Sequence, residues 1–150
     1  NNLAELMQKY DIPPCLITIE ILEDVAACDV EYLSKQMAAL HERGLRISMD
    51  DFGSGYSSLN MLCDLSVDEL KFDRNFLNRE ADSGKQKIVV EHVVSAAKKL
   101  GIDTVAEGIE TQEDLDFVLS MNVDLGQGYF YSKPMDAGSF SAKYMSKKQD

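Results

Sequence analysis

A repeated alternation of short apolar runs and helical segments constrains the fold of this chain more than any other feature. The apolar runs, rich in β-branched residues, predict strands over residues 15–19, 45–49, 67–72 and 104–106, and a last strand within residues 123–131. Segments with helical periodicity occupy residues 1–10, 30–43, 57–63, 85–100, 111–122 and 136–145. Strands that alternate with helices form a parallel sheet with the helices outside it. The 150 residues show no linker or shift in composition, so the sequence predicts a single α/β domain over residues 1–150.

The charge and composition of the chain limit its partners. Its 26 acidic and 15 basic residues give a net charge of −11, whereas nucleic-acid backbones are bound by clustered Lys and Arg. This balance argues against DNA as a partner, although divalent cations can still bring a small phosphate ligand to an acidic protein. No apolar run approaches the ~20 residues of a membrane span, so we expect no membrane contact by this segment. The three cysteines have no metal-type spacing and are interpreted as reduced, part-buried residues of a cytoplasmic protein.

Polar side chains able to bind a metal ion or a phosphate stand at, or just beyond, the end of each predicted strand. In chain order they are Glu20, Asp50 with Asp51, Lys71 with Asp73, Glu107, and Gln127. Taken singly, each has an ordinary explanation as a strand-end charge, a turn residue or a helix cap. In parallel α/β folds, however, the carboxyl ends of all strands lie on one face, where active sites are built. The set as a whole therefore predicts one convergent site.

The spacing of these residues sets conditions on the site. Side chains alternate along a strand, so Asp50 and Asp51 point to opposite sides unless the chain kinks, which Gly53 and Gly55 would allow. Lys71 and Asp73 point the same way. The Lys71 ammonium could therefore pair with Asp73, or it could hold a water or a phosphate oxygen.

The chemistry of the set favours a hard cation. Carboxylates without Cys or His ligands suit Mg²⁺ or Mn²⁺ and do not suit zinc or copper. Two such ions about 3.5–4 Å apart, bridged by one carboxylate, are a common arrangement for phosphoester hydrolysis. His41 and His92 lie within helical segments and are interpreted as exposed or structural.

Five motifs in this order resemble a known family. The chain is similar to the C-terminal part of the EAL domain, the bacterial phosphodiesterase module that hydrolyses cyclic di-GMP. The motifs are Glu20-Ile21-Leu22-Glu23, Asp50-Asp51-Phe52-Gly53-Ser54-Gly55-Tyr56-Ser57-Ser58-Leu59, Leu70-Lys71-Phe72-Asp73, Val105-Ala106-Glu107-Gly108-Ile109-Glu110, and Gln127-Gly128-Tyr129 leading to Lys133-Pro134. Their order and spacing fit across nearly the whole chain.

The resemblance implies a role for each strand-end residue. Glu20 would be a ligand of the first metal, Asp50 would bridge both metals, and Asp51 would bind the second. Lys71 would hold the attacking water, and Glu107 would serve the second metal or act as general base.

The resemblance also implies supporting residues around the metals. Asp73, Glu110 and Gln127 would complete the ring. Glu23 would brace the loop that follows Asp51 and that couples substrate and metal binding to dimerisation; its residues are Phe52, Gly53, Ser54, Gly55, Tyr56, Ser57 and Ser58.

One departure from the family pattern concerns the fold. The family barrel has eight strands and takes its name from an early Glu-Ala-Leu motif, but this sequence has five predicted strands and no such tripeptide. The expected fold is therefore an incomplete (β/α) TIM-barrel type, a single partial EAL domain without the N-terminal strands. Three explanations stay open: a fragment of a full domain, a natural truncation, or two chains that complete each other. In each case we expect the 150 residues alone to hydrolyse cyclic di-GMP poorly or not at all.

Three functions remain under comparison. The first is a phosphodiesterase that cleaves cyclic di-GMP to linear pGpG with Mg²⁺ or Mn²⁺, acting as a homodimer and joined in its parent chain to sensory or GGDEF-type domains. The second is an inactive cyclic di-GMP sensor or protein-interaction domain. The third is an unrelated metal-dependent barrel enzyme, which the specificity of the motifs disfavours.

Overall fold

Five parallel strands form one sheet in which the order of the strands follows the order of the chain. The computed structural model describes residues 3–53, 59–73 and 83–145. The strands are β1 (Thr18–Leu22), β2 (Arg46–Phe52), β3 (Glu69–Phe72), β4 (Asp103–Ala106) and β5 (Leu125–Gly126). Each strand pairs in parallel with the next, which confirms the predicted α/β architecture.

Helical segments connect the strands. They are α1 (Leu3–Lys9), α2 (Glu23–Cys28), α3 (Val30–His41), α4 (Leu59–Asp64), α5 (Ser83–Leu100), α6 (Gln112–Ser120) and α7 (Ala137–Phe140), which continues into a π-helical turn, Ser141–Met145. Within the described ranges, none of these helices is both long enough and apolar enough to span a bilayer.

The ends of three helices are fixed by local signals in the sequence. After α3, Gly44 has a φ of +78°, and the Leu45 N–H donates to the Leu40 carbonyl, as in a Schellman motif. Gly101 has a φ of +76° after α5. At the start of α6, Thr111 and Asp114 form a capping box that satisfies the first N–H groups of the helix.

The two faces of the sheet differ in character. The outer face is apolar and packs against the helices; its largest fully buried side chains include Ile47, Met49, Leu70 and Phe72. Alternation along each strand then puts the polar residues on the opposite, inner face. Thus Glu20 stands opposite Ser48, and Ser48 stands opposite Glu69. The predicted site residues therefore share one side of the sheet.

The first strand begins later than the sequence pattern predicts. Residues 15–19 were expected to be strand, but Pro14–Leu16 form a 3₁₀ turn and β1 starts at Thr18. Pro14 occupies the first turn, where its missing N–H costs nothing, and Leu16 is 72% exposed. As a result Glu20 lies in the middle of β1 and not at its end.

The last strand lies within the predicted span 123–131 and is short. Strand β5 has two residues, because Gly128 packs directly against the backbone of Ile109 and the chain turns there. The predicted helix over 57–63 is described only from Leu59, and the predicted polar tail, 146–150, lies outside the described residues.

Candidate metal centre

The ammonium group of Lys71 lies at the centre of a cluster of carboxylates. Lys71 Nζ is 2.7 Å from Glu107 Oε1, 2.9 Å from Glu20 Oε1 and 3.1 Å from Asp50 Oδ1. These partners come from β1, from β2 and from the residue after β4, while Lys71 itself belongs to β3. The lysine side chain is only 6% exposed. The sheet thus brings four of the predicted site residues into direct contact.

The Lys71 cation is stabilised by its partners. Burial by itself lowers the pKa of an ammonium group, but hydrogen bonds to Glu107, Glu20 and Asp50 outweigh it and raise the pKa of Lys71 above its usual value. The sequence left open whether Lys71 pairs with Asp73 or holds a water or phosphate oxygen. In the structure its salt bridges to described residues go to the three carboxylates named above.

The kink that two adjacent aspartates require is present in β2. The pairing of β2 with β3 shifts register between Met49 and Phe52, and Asp51 has a φ of +57°. The Asp51 N–H donates to Asp50 Oδ1 at 3.0 Å. The bend therefore lies at Asp51 itself, a residue type that tolerates the left-handed region, although Gly53 also has a positive φ of +93°.

This bend gathers three carboxylates that could hold a metal ion. One oxygen each of Asp50, Asp51 and Glu107 lies within 4.8 Å of the others. All three ligands are oxygens, which fits a hard divalent cation such as Mg²⁺ or Mn²⁺.

The pKa of Asp51 is raised by burial and by the negative charges around it. Burial is the largest cause that raises the pKa of Asp51, and the charges of Asp50, Asp73 and Glu23 raise it further against the opposing effect of Lys71. A divalent cation binds the ionised carboxylate and would relieve this repulsion.

Glu20, the predicted ligand of a first metal, is paired with Lys71 in this structure. Its carboxylate is bound to Lys71 and lies outside the group of three that could share an ion. Its side chain is 55% exposed on the inner face of the sheet.

Glu23 connects the start of α2 to the bend after Asp51. It is only 3% exposed, and its Oε2 accepts a hydrogen bond of 2.9 Å from the Gly53 N–H. Phe52 is buried against Phe72 with their ring centroids 6.1 Å apart. The other residues of the predicted loop, Ser54, Gly55, Tyr56 and Ser57, lie outside the described part of the chain.

Two further predicted residues lie beyond the ends of their strands. Glu110 and Gln127 follow β4 and β5 and are exposed, and they are not among the described salt-bridge partners of Lys71. The Gln127 backbone is held by hydrogen bonds to Ala106 and Ile109.

The two histidines make local contacts elsewhere. His41 Nε2 is 2.9 Å from Asp68 Oδ2, which also accepts the Ile47 N–H. His92 Nδ1 is 2.7 Å from the carbonyl oxygen of Ile88 in its own helix.

Ser48 is a residue of this region to which the sequence reasoning assigned no role. It is fully buried, two residues before Asp50 on the same face of β2. The alternation of side chains along the strand was the signal that could have identified it.

Comparison with known proteins agrees with this geometry. The family model described as "EAL domain" matches residues 1–134. A cyclic di-GMP phosphodiesterase from Pseudomonas aeruginosa, RocR, is 31% identical over 139 residues, covering 93% of this chain and 36% of RocR. A probable cyclic di-GMP phosphodiesterase from Escherichia coli, PdeB, is 37% identical over 138 residues, covering 92% of this chain and 26% of PdeB. The chain thus spans about a third or less of the length of these relatives.

Solved structures show the same fold. The PaMucR phosphodiesterase in complex with cyclic di-GMP superposes with a TM-score of 0.83 at 31% identity, covering 92% of this chain and 56% of that one. The EAL domain of Mycobacterium smegmatis DcpA gives a TM-score of 0.83 at 32% identity, covering 93% of this chain and 63% of that one. A manganese and cyclic di-GMP complex of Klebsiella pneumoniae BlrP1 gives 0.80 at 32% identity, with 88% and 34% covered. With its sequence motifs, sheet order and overall similarity in agreement, this chain belongs to the EAL domain family.

Proposed function

We propose that this chain carries a metal-dependent site for the hydrolysis of cyclic di-GMP to linear pGpG. The observation that carries the proposal is the convergence of Asp50, Asp51 and Glu107, whose oxygens lie within 4.8 Å of one another beside the Lys71 ammonium. Relatives named as cyclic di-GMP phosphodiesterases, and structures of relatives in complex with this ligand, support the choice of substrate.

The proposed cofactor is Mg²⁺ or Mn²⁺. Asp51 and Glu107 would hold one ion, Glu20 would hold the other once it leaves Lys71, and Asp50 would serve both. The manganese complex of BlrP1 supports a divalent ion in this family. When bound, the ions would lower the pKa of a water molecule and neutralise charge on the phosphoryl group.

The residues of the chain would orient this water and manage its proton. The Lys71 ammonium, whose charge is maintained by its carboxylate partners, holds the water by a hydrogen bond. A Glu107 oxygen accepts the proton that the water loses. A bond forms between the water oxygen and phosphorus while the bond from phosphorus to the 3′ oxygen breaks. The 3′ oxygen then takes up a proton, and the product is linear pGpG.

The remaining roles are proposed from the family pattern together with local contacts. Asp73, Glu110 and Gln127 surround the reacting groups. Glu23, through its hydrogen bond to Gly53, braces the loop that would couple the site to a homodimer partner.

The setting of the site is proposed as a cytoplasmic protein with sensory or GGDEF-type domains in the parent chain. The free and exposed thiols of Cys15 and Cys63 agree with a reducing compartment.

The proposal is tested by calorimetric titration of cyclic di-GMP into the 150-residue chain with Mn²⁺, with Ca²⁺ and with a chelator, followed by chromatography of the nucleotide products. We expect the ligand to bind only with a divalent ion, because a chain of net charge −11 repels a ligand that carries two negatively charged phosphodiester groups. Linear pGpG should be the product with Mn²⁺, at a low rate.

Two variants make the test specific. Asp51→Asn should weaken binding by about tenfold or more, since it removes one charged metal ligand. Asp116→Asn is the matched control: Asp116 is exposed on α6, bonded to Gln112 at 2.8 Å, and its loss should change nothing. Binding that survives the chelator, or that ignores Asp51→Asn, would contradict the proposal.

A further inference from the structure

A buried hydroxyl group under the carboxylate cluster has no partner. Ser48 is 0% exposed, and its Oγ is the one buried side-chain oxygen or nitrogen in the described part of the chain that makes no hydrogen bond. An unsatisfied buried hydroxyl costs free energy, and an alanine of nearly the same size would avoid that cost. The position therefore points to a partner that Ser48 acquires in another state of the site.

The sheet register puts this hydroxyl beside the path of Lys71. Ser48 stands directly opposite Glu20 of β1, and it precedes Asp50 by two residues on the same face. Lys71 belongs to β3, yet its ammonium lies 2.9 Å from Glu20, so these two side chains meet across β2. Ser48 and Asp50 are the inner-face residues of β2 at this crossing.

The hydrogen bonds of Lys71 and the proposed metal ion draw on the same carboxylates. An ammonium group has three donors, and Lys71 now has three carboxylate acceptors, of which Asp50 and Glu107 also belong to the group that could hold an ion. Each oxygen that turns toward a cation is lost to the ammonium. A buried lysine that loses acceptors needs a replacement nearby, and a hydroxyl oxygen can accept two hydrogen bonds.

We propose that Ser48 is a positioning residue that accepts a hydrogen bond from Lys71 Nζ when Asp50 and Glu107 turn toward a divalent cation. This inference rests on the proposed function of the site. The hydrogen bond to Ser48 then keeps the Lys71 ammonium beside the reacting groups. Without it, the ammonium would move with the Glu20 carboxylate or turn toward solvent. The Ser48 hydroxyl therefore has no partner in the metal-free site and gains Lys71 as its partner in the metal-bound site.

The experiment compares Mn²⁺ affinity, measured by calorimetry on the full chain, with thermal stability measured without added metal. Ser48→Ala should bind Mn²⁺ about tenfold more weakly, the loss expected for one hydrogen bond from a charged donor. Its melting temperature without metal should stay the same or rise, because the variant removes an unsatisfied group. Ser48→Thr, which keeps the hydroxyl, should restore most of the Mn²⁺ affinity.

The matched control is Thr104→Val, which removes a buried hydroxyl from the outer face of the sheet. Thr104 Oγ1 donates to Asp124 Oδ2 at 2.6 Å, so this variant should melt at a lower temperature and bind Mn²⁺ as the wild type does. If Ser48→Ala binds Mn²⁺ with wild-type affinity, the proposed role of Ser48 is overturned and the proposed function of the site is not. A joint fall in its affinity and its melting temperature would show a merely structural residue. Absence of Mn²⁺ binding by the wild type would overturn the proposed function as well.

Discussion

At the scale of single residues, the site depends on one buried cation shared among several strands. The Lys71 ammonium joins Glu20, Asp50 and Glu107, and these would otherwise face one another as unpaired negative charges. Removing one partner of a buried ion pair lowers the stability of a protein much more than removing one partner of an exposed pair. The reason is that the charge left behind stays buried without a partner.

Lys71→Met keeps an unbranched side chain only one heavy atom shorter and removes the charge. We expect the free energy of unfolding to fall by about 2–3 kcal/mol, below the full value for a buried pair because Glu20 is partly exposed. For a chain of this size the melting temperature should fall by about 5–10 °C. Added Mn²⁺ should recover part of the loss. Thermal denaturation with and without Mn²⁺ measures both effects.

The control for this variant is Lys35→Met, which breaks an exposed pair with Glu31 of similar length, 2.7 Å, on the surface of α3. Its melting temperature should change by no more than about 2 °C. Equal effects of the two substitutions would mean that the Lys71 cluster contributes no special stability.

Asp51 should make the stability of the metal-free chain depend on pH. Its pKa is raised in the folded state, so protonation of Asp51 favours folding. This contribution to the free energy of unfolding is complete below the usual pKa of 3.8, and it is lost as the pH rises through the raised pKa. In Asp51→Asn the neutral amide imitates the protonated carboxyl group, and asparagine tolerates a positive φ as aspartate does. The variant should therefore melt about 1–3 °C higher than the wild type at pH 7.5. Near pH 3.5 the difference should vanish. A lower melting temperature at pH 7.5 would refute this reading, and Asp116→Asn serves again as the control.

At the scale of secondary structure, the ends of β4 and β5 are joined by an unusually close approach of two backbones. Gly128 packs against Ile109, so that a Cβ at this position would overlap the Ile109 carbonyl oxygen and peptide nitrogen. This contact fixes the segment that begins at Glu107 against the one that contains Gln127.

Gly128→Ala should strongly destabilise the chain, because the added methyl group meets backbone and not a movable side chain. We expect a loss of about 3 kcal/mol, or roughly 6–12 °C in melting temperature. Gly101→Ala is the control: nothing lies within 4 Å of its Cβ, and only the φ of +76° opposes it, at about 1 kcal/mol. If both variants melt alike, the close approach is not a constraint.

At the scale of the whole molecule, the parallel sheet and the shared polar face could be predicted from the sequence, whereas the details of the site could not. Alternation of strands and helices was enough for the parallel sheet, and polar residues after apolar runs were enough to bring Lys71 and Glu107 to one side. The sequence predicted a kink at Asp50 and Asp51 that Gly53 and Gly55 would ease, because local propensity favours glycine. In the structure the residue with a positive φ at the register shift is Asp51 itself. The partners of Lys71 depend on how far a flexible side chain reaches across β2, which only tertiary structure decides.

The predicted start of β1 was wrong for a similar reason. Residues 15 and 16 look like strand by composition, but the turn at Pro14 comes first and shifts the strand by three residues. The predicted roles of Glu20, Asp73, Glu110 and Gln127 remain predictions.

The contact between Ile109 and Gly128 also bears on how the chain exchanges its amide hydrogens with solvent. The Ile109 N–H donates to the Gln127 carbonyl at 3.1 Å, and the Phe130 N–H donates to the Ile109 carbonyl at 2.9 Å. Both amides lie in connecting segments, where exchange is normally fast. Here they can be released only if the two backbones separate, so in deuterated water they should exchange as slowly as the amides of β4. The edge of the site beside Glu107 would then open only in the rare excursions that open the sheet.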